Sequence, residues 1–330
     1  MSFTRRCALA ALALALSAAL TGAQAEDYPS RPITIVVPLA AGSGMDSLVR
    51  LYADRLQQSL GKPVIVENKP GAALMLAAAA VATAPPDGYT LLVSTSSAMA
   101  INLVLYKKVN YDAVKDFIPV SFYVKSPFIL VVNPDLPATT VPELIKLAKE
   151  RESTTPLNFS SPGAGVAQHL SGEYMKQRFN VNMVHVPYRN TPQSITDIVA
   201  GHVQLGFAEA GASLPLIREG KLRALAVSSL TRIPTLPDTP PFAEAANAPD
   251  FEAVSWHMLF APRATPRAIV DRLHAEMNKI MADPDMQQKA ATIGLLPIAP
   301  PSIEDTEKYL ASERAKWGDL VRKLGLEGSQ

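Results

Sequence analysis

The chain has 330 residues, enough for two ordinary domains, each folded around its own core. With 31 Lys and Arg against 30 Asp and Glu its formal charge is +1, so it lacks the basic excess of a nucleic-acid binder. A composition 48% hydrophobic and only 18% charged excludes a disordered chain or a coiled coil, and a single cysteine excludes a disulfide framework or a cysteine-built zinc site.

Residues 1–25 read as an export signal. Arg5 and Arg6 form its basic end, ALAALALALSAAL (8–20) is its apolar stretch, and Ala23-Gln24-Ala25 fits the small-x-small pattern of cleavage after Ala25. The stretch is shorter than the roughly 20 apolar residues that span a bilayer. Cys7 precedes it, whereas a lipidated cysteine follows, and Thr4-Arg5-Arg6 hints at the twin-arginine route. Cleavage takes Arg5, Arg6 and Cys7 with it, so the mature chain, placed in the periplasm, carries a net charge of −1 and no thiol nucleophile.

Strands and helices then alternate. ITIVVPL (33–39) is a β-branched run of the kind buried on both faces of a sheet. Gly42-Ser43-Gly44 follows, and Asp46 opens a helix patterned by Leu48, Val49, Tyr52, Leu56 and Leu60 and stopped by Gly61. PVIVEN (63–68) is a strand, Pro70-Gly71 turns into an alanine-rich helix through Ala84, and YTLLVST (89–95) is a third strand. FIPVSFYVKSPFILVVNP (117–134) is extended and about twice the usual strand length, which suits a crossing between two domains. Thr140 is the expected N-cap of the next helix, with Pro142 and Glu143 in its first turn. Residues 158–160 end a strand that leads through Ser161-Pro162-Gly163-Ala164-Gly165 into a helix near 166–179. VNMVHVPY (181–188), VQLGFA (203–208) and LRALAVSS (222–229) are further strands around a helix at 193–200, and AVSWHMLFAP (253–262) is a second crossing candidate. From Pro266 onward the pattern is helical. This alternation argues an α/β fold with parallel sheets: lobe 1 from residues 26–124 and 251–330, and lobe 2 from residues 125–250.

Three loops share one design: a strand end, small residues, then a helix start. The first holds Leu39, Ala40, Gly42, Ser43, Met45 and Asp46; the second Ser94, Ser96 and Ser97; the third Ser160, Pro162, Gly163, Ala164 and Gly165. Helix N-termini present unpaired N–H groups and partial positive charge, so they hold anions without a basic side chain, and small residues let a carboxylate approach. Any one such loop is equally a tight turn; three in succession point to a shared cleft outside the strand ends. His169 and Tyr188 sit where they either face that cleft or pack in its wall. Glu209 follows Ala208 just after an apolar strand, among small neighbours, where it either meets a ligand cation or neutral donor, or is a solvated loop carboxylate.

Enzymatic patterns are missing. Ser47 stands where a dinucleotide fingerprint needs its third glycine, no G-x-S-x-G elbow or H-E-x-x-H occurs, and no two of the five histidines are three or four residues apart. No cofactor, metal or catalytic group is expected.

YPSRPITIVVPLAAGSGMDSLVR, VENKPG, APPDGYTLL, INLVLYKKVNYDAVKDFIPVS, HVPYRNTPQSITDIVAGHV, IREGKLRALAVSS and RIPTLPDTPPFAEA together resemble the Bug family, the extracytoplasmic solute receptors of tripartite tricarboxylate-type transporters. The resemblance spans the mature chain. It implies a two-lobed type II periplasmic-binding-protein fold that closes on a small carboxylate ligand. It also implies a monomer that delivers this ligand to membrane transport subunits, with a sensor kinase as the alternative partner. The loops at 39–46 and 160–165 become the main carboxylate-facing loops, and 94–98 borders the cleft. The chain departs from the family pattern where Ala73 and Leu74 replace paired glycines, Met99 a frequent histidine, Val166 a capping Ser or Thr, and Ala208-Glu209 an Asp-Asn pair. Those changes suggest a ligand other than a plain citrate-like acid, either aromatic or bearing a hydrogen-bond donor.

Overall fold

The computed structural model describes residues 28–330, so the export signal read at 1–25 lies outside the described residues. Eleven strands are described: β1 (Ile33–Val37), β2 (Val64–Asn68), β3 (Thr90–Ser94), β4 (Phe117–Ser126), β5 (Phe128–Val132), β6 (Leu157–Ser161), β7 (Met183–Pro187), β8 (Leu205–Glu209), β9 (Arg223–Val227), β10 (Ser255–Pro262) and β11 (Leu296–Pro297). The helices are α1 (Gly44–Leu60), α2 (Met75–Ala82), α3 (Asn102–Leu105, continuing a π-turn over Ser97–Ile101), α4 (Val141–Arg151), α5 (Ala167–Phe179), α6 (Thr191–Val199), α7 (Ala210–Arg218), α8 (Phe242–Ala245), α9 (Arg267–Ala282), α10 (Pro284–Thr292) and α11 (Ile303–Lys323).

Two separate sheets result, a six-stranded one in the order β11-β4-β10-β3-β1-β2 and a five-stranded one in the order β7-β6-β8-β5-β9. The long extended run at 117–134 divides at Pro127, with β4 in the first sheet and β5 in the second. The return differs from expectation: residues 251–254 are irregular, and β10 belongs to the first sheet alone.

The expectation of parallel sheets is also corrected. β1 runs parallel to β2 and β3, but β10 runs antiparallel to β3 and β4, and β5 antiparallel to β8 and β9. A βαβ crossover forces neighbouring strands to run parallel. The strands that carry the chain out of one sheet and back are free of that constraint: β4 leaves the first sheet, β10 re-enters it, and so they run in opposite directions.

Local signals act as the sequence suggests. Leu48, Val49, Tyr52, Leu56 and Leu60 line the buried face of α1, and Gly61 at φ 69° ends it by donating to the Gln57 carbonyl at 3.0 Å. Thr140 caps α4 in a reciprocal box: its hydroxyl accepts from Glu143 N at 3.3 Å, and the Glu143 carboxylate accepts from Thr140 N at 3.2 Å. The turn into α2 is different. Ala72, Ala73 and Leu74 all take positive φ (47°, 49° and 73°). L-residues carry a penalty of about 1–2 kcal/mol in that region. Ala73→Gly is therefore expected to raise stability by about 1 kcal/mol, read as a higher urea midpoint at unchanged m-value; an unchanged or lower midpoint contradicts it.

Each sheet is covered on both faces by apolar residues. The last helix joins the two halves: Ile303 and Leu310 pack with the first sheet's core, whereas Trp317 and Val321 join the cluster around Phe128 and Phe159 of the second. The segment after β3 behaves similarly, with Ala98 and Met99 in the first sheet's core and Ala100, Ile101 and Leu105 in the second's.

Candidate functional site

The three loops differ sharply in accessibility. In the first, Ala40 and Gly42 are exposed and Leu39 and Ser43 half-buried, while Met45 packs into the core. Ser43 is the N-cap of α1, its hydroxyl accepting from Asp46 N at 3.2 Å. The Asp46 carboxylate is turned back into the loop. It accepts from Gly42 N at 2.8 Å, from Arg50 Nε and Nη2 at 3.1 and 3.0 Å, and from Asn68 Nδ2 at 2.9 Å. Burial pushes this carboxyl up, but the hydrogen bonds from Arg50, Gly42 and Asn68 outweigh it and hold it below the usual range. Asn68 also donates to the Leu39 carbonyl at 2.9 Å, tying the loop to β2. The Asp46 carboxylate therefore shapes the loop from within.

The second loop is enclosed. Ser94 and Ser96 have no exposure and Ser97 only 4%. Ser96 shares a hydrogen bond with Ser255 at 2.9 Å, and the Ser94 hydroxyl has no partner among the described residues. Ser97 reaches across to the other sheet's helices. Val166, the N-cap of α5, has no side chain to cap with, and the Ser97 hydroxyl instead accepts from Ala167 N at 3.2 Å. A cap that the local sequence lacks is thus supplied from seventy residues away.

In the third loop Pro162, Gly163 and Ala164 are half-buried, whereas Ser160 lies under α6, its hydroxyl accepting from Ser194 Oγ at 2.8 Å. Gly165, at φ 82°, presses against α3: a Cβ there would stand 2.1 Å from Leu105 Cδ2. Its N–H donates to His169 Nδ1 at 3.1 Å. Ser161, inside the loop read at 160–165, and His185, not singled out from the sequence, complete the loop. The Ser161 hydroxyl donates to the Gly163 carbonyl and meets His185 Nε2, both at 2.7 Å, and the His169 and His185 rings stack with centroids 3.8 Å apart. Burial lowers His169 to about 4, helped by the Lys176 charge. Burial, His169 and Lys176 lower His185 to about 3, so both rings are neutral near pH 7.

Beside this loop, Tyr188 is pinned, its N–H donating to the Ser161 carbonyl at 2.9 Å and its hydroxyl to Asp197 Oδ2 at 2.7 Å. Burial and then the Asp197 contact push its phenol up to about 12. Ala208 is buried in the strand below. Glu209 ends β8 and begins α7, half-buried, with Gln168 Nε2 donating to its Oε1 at 3.2 Å and no cation in salt-bridge contact among the described residues. Burial pushes its carboxyl above the usual range, partly opposed by Gln168. Glu209, Gln168 and His169 thus gather around the start of α5.

Among the described residues, no cluster of His, Cys, Asp or Glu is arranged to hold a metal ion, and no helix is long and apolar enough to cross a membrane. A shallow groove lined by Pro142, Ile145, Lys149, Phe179 and Ala246 shares no residue with the three loops.

Two separate sheets, each with a small-residue loop that opens a helix and with the chain passing between them, give a two-lobed α/β frame. A model of the tripartite tricarboxylate transporter family receptor matches residues 48–326. The chain belongs to this family. It is 37% identical over 329 residues, 99% of this chain and 96% of the other, to the UPF0065 protein in the tcbD-tcbE intergenic region of Pseudomonas sp. (strain P51). It is 33% identical to protein BugT of Bordetella pertussis, covering 98% of this chain and 99% of BugT. Among solved structures, R. palustris Rpa4515 with adipate superposes with TM-score 0.83 at 34% identity, over 91% of this chain and 99% of the other. MatC (Rpa3494) from Rhodopseudomonas palustris with bound malate superposes with TM-score 0.78 at 30% identity, over 89% and 100%. The family assignment carries the two-lobed periplasmic-binding-protein fold and makes this chain a solute-binding protein rather than an enzyme.

Proposed function

We propose that this receptor captures a small carboxylate-containing solute in the periplasm and hands it to the membrane subunits of a tripartite tricarboxylate-type transporter. The lobes divide near residues 124/125 and 250/251 and close on the solute, with the last helix shared between them. The observation that carries this reading is the pair of helix-start loops, exposed or half-buried around 40–44 and half-buried at 162–164, whose polar side chains Asp46 and Ser161 are engaged within them. Such loops hold a carboxylate with N–H groups and the helix dipole, and need no arginine. Two family members are solved with the dicarboxylates adipate and malate, which supports the class. A sensor-kinase role shares the same binding step and differs only in the partner of the closed form.

Within that class, Glu209 sets the finer preference. Its acidic group, without a cation in contact, disfavours a carboxylate at its end of the cleft and favours a hydrogen-bond donor or an aromatic edge. Thermal-shift assays with adipate, malate, citrate and aromatic acids with and without a ring hydroxyl test this. The hydroxylated or aromatic acids are expected to stabilise the protein most. Glu209→Gln is expected to move preference toward the dicarboxylates by about tenfold, the worth of one hydrogen bond to a charged group. Binding confined to citrate, unaltered in Glu209→Gln, contradicts the finer reading, and no shift with any acid contradicts the class.

A further inference from the structure

The stacked histidines beside the third loop have no role in the scheme above, and their geometry gives them one. His169 stands in the first turn of α5 and His185 on the edge strand β7, and parallel pairing of β6 with β7 sets His185 opposite Phe159. Phe159 backs both rings, with centroids 4.9 Å from His185 and 6.3 Å from His169. The hydrogen-bond pattern fixes the protons. Gly165 N–H donates to His169 Nδ1, so that ring is protonated on Nε2, which points toward Glu173 Oε1 at 3.9 Å. The Ser161 hydroxyl has one hydrogen and gives it to the Gly163 carbonyl, so it must accept from His185, whose proton is therefore also on Nε2.

Each histidine thus holds one end of the loop: His185 anchors Ser161 and, through it, Gly163, while His169 anchors Gly165. Ala164 lies between the two anchors, and its N–H makes no hydrogen bond among the described residues. We propose that His169 and His185 are positioning residues that pre-form the second-lobe loop for the solute, without touching it. The proposal rests on the reading of residues 162–165 as a binding loop. Its physical content is preorganisation: a loop fixed before the solute arrives loses no conformational freedom on binding, so the full strength of its N–H groups appears as affinity.

The test uses the mature chain with adipate and malate as probes. His169→Phe and His185→Phe keep the stacked rings and remove the hydrogen bonds. Each is expected to weaken binding by calorimetry about tenfold, and to speed amide exchange at Gly163 and Gly165 about tenfold with exchange within α5 unchanged. His169→Asn restores an acceptor at the Nδ1 position and His185→Gln a donor at the Nε2 position, and both are expected to recover most of each loss. Nitrogen NMR of the wild type is expected to show both rings as Nε2–H tautomers. An Nδ1–H tautomer at either ring, or Phe variants with unchanged exchange and affinity, overturns the proposal. If a Phe variant does not fold, the wild-type tautomers and the Asn and Gln variants decide it. If the wild type binds neither probe, the carboxylate reading is what fails, and amide exchange still decides whether the histidines hold the loop.

Discussion

Replacing Gly165 with alanine is expected to destabilise the protein by about 2–5 kcal/mol and to abolish solute-induced stabilisation. Two independent terms set the size. At φ 82° an L-residue carries about 1–2 kcal/mol of backbone penalty. The new methyl would also stand 2.1 Å from Leu105 Cδ2, 3.4 Å from Tyr106 Cε2 and 3.5 Å from Asn102 Oδ1. Leu105 and Asn102 are fully enclosed, so neither side chain can swing into solvent, and overpacking of that kind costs about 1–3 kcal/mol. The loss of binding follows from where the clash lies. The third loop rests on Leu105 of α3, in the segment that joins both cores, next to the Ser97 hydroxyl that caps α5. A loop pushed off α3 loses that cap and the approach of the two halves together. Gly44→Ala is the control for stability: Gly44 opens α1 with nothing within 4 Å of an added Cβ, and its change is expected within about 0.5 kcal/mol. Urea unfolding and thermal shift with the solute panel measure both variants. A Gly165→Ala protein as stable as the wild type would show that the loop does not rest on α3.

How much of this was legible in the sequence depends on the reach of each interaction. Signals that act within a few residues, such as the Thr140–Glu143 box, the Gly61 stop and the apolar face of α1, were readable because both partners lie in one stretch of chain. The strand–helix alternation is readable for the same reason. Strand direction was not: β10 runs antiparallel because it returns the chain from the second sheet, a property of the path and not of its residues. The serines at and after the end of β3 read as one of three small-residue loops, yet Ser94, Ser96 and Ser97 are enclosed because the segment that follows them contributes to both cores. The sequence places Asp46 at the start of α1, but its bond from Asn68 depends on β2 lying beside it. His185 was missed altogether. Its one usable signal, a histidine two residues before a Pro-Tyr strand end, gains meaning only with the register that sets it opposite Phe159. Gln168 was hidden in the same way, since its partner Glu209 is on another strand.

The protein is also expected to lose stability steeply as pH falls from 6.5 to 5, well before its acidic ion pairs titrate. Three histidines carry the effect. Burial with help from Lys176 lowers His169 to about 4, burial with help from His169 and Lys176 lowers His185 to about 3, and burial alone lowers His257 on β10 to about 4. In the unfolded chain each titrates near the ordinary value of about 6.5. Between that value and the folded one the unfolded state binds more protons, so stability is fully present above about pH 6.5 and is lost as pH falls toward the folded values. By pH 5 each histidine contributes a loss of about 2 kcal/mol, and between pH 6 and 5 the three together give a slope of about 4 kcal/mol per pH unit. The carboxyls held low, Asp46, Asp112 and Asp283 among them, lose their contribution only below their ordinary range near 4, outside this window. Glu209 works the other way: its raised carboxyl favours the folded state as pH falls, and as a single group it offsets only part of the loss. The measurement is the urea midpoint at constant ionic strength from pH 7.5 to 5. His185→Gln, which cannot take up a proton, is expected to remove about a third of the slope, and a combined substitution at His169, His185 and His257 nearly all of it. A midpoint that stays level across this range would mean that the stacked rings are open to protons in the folded protein, and that the loop they hold is not closed over them.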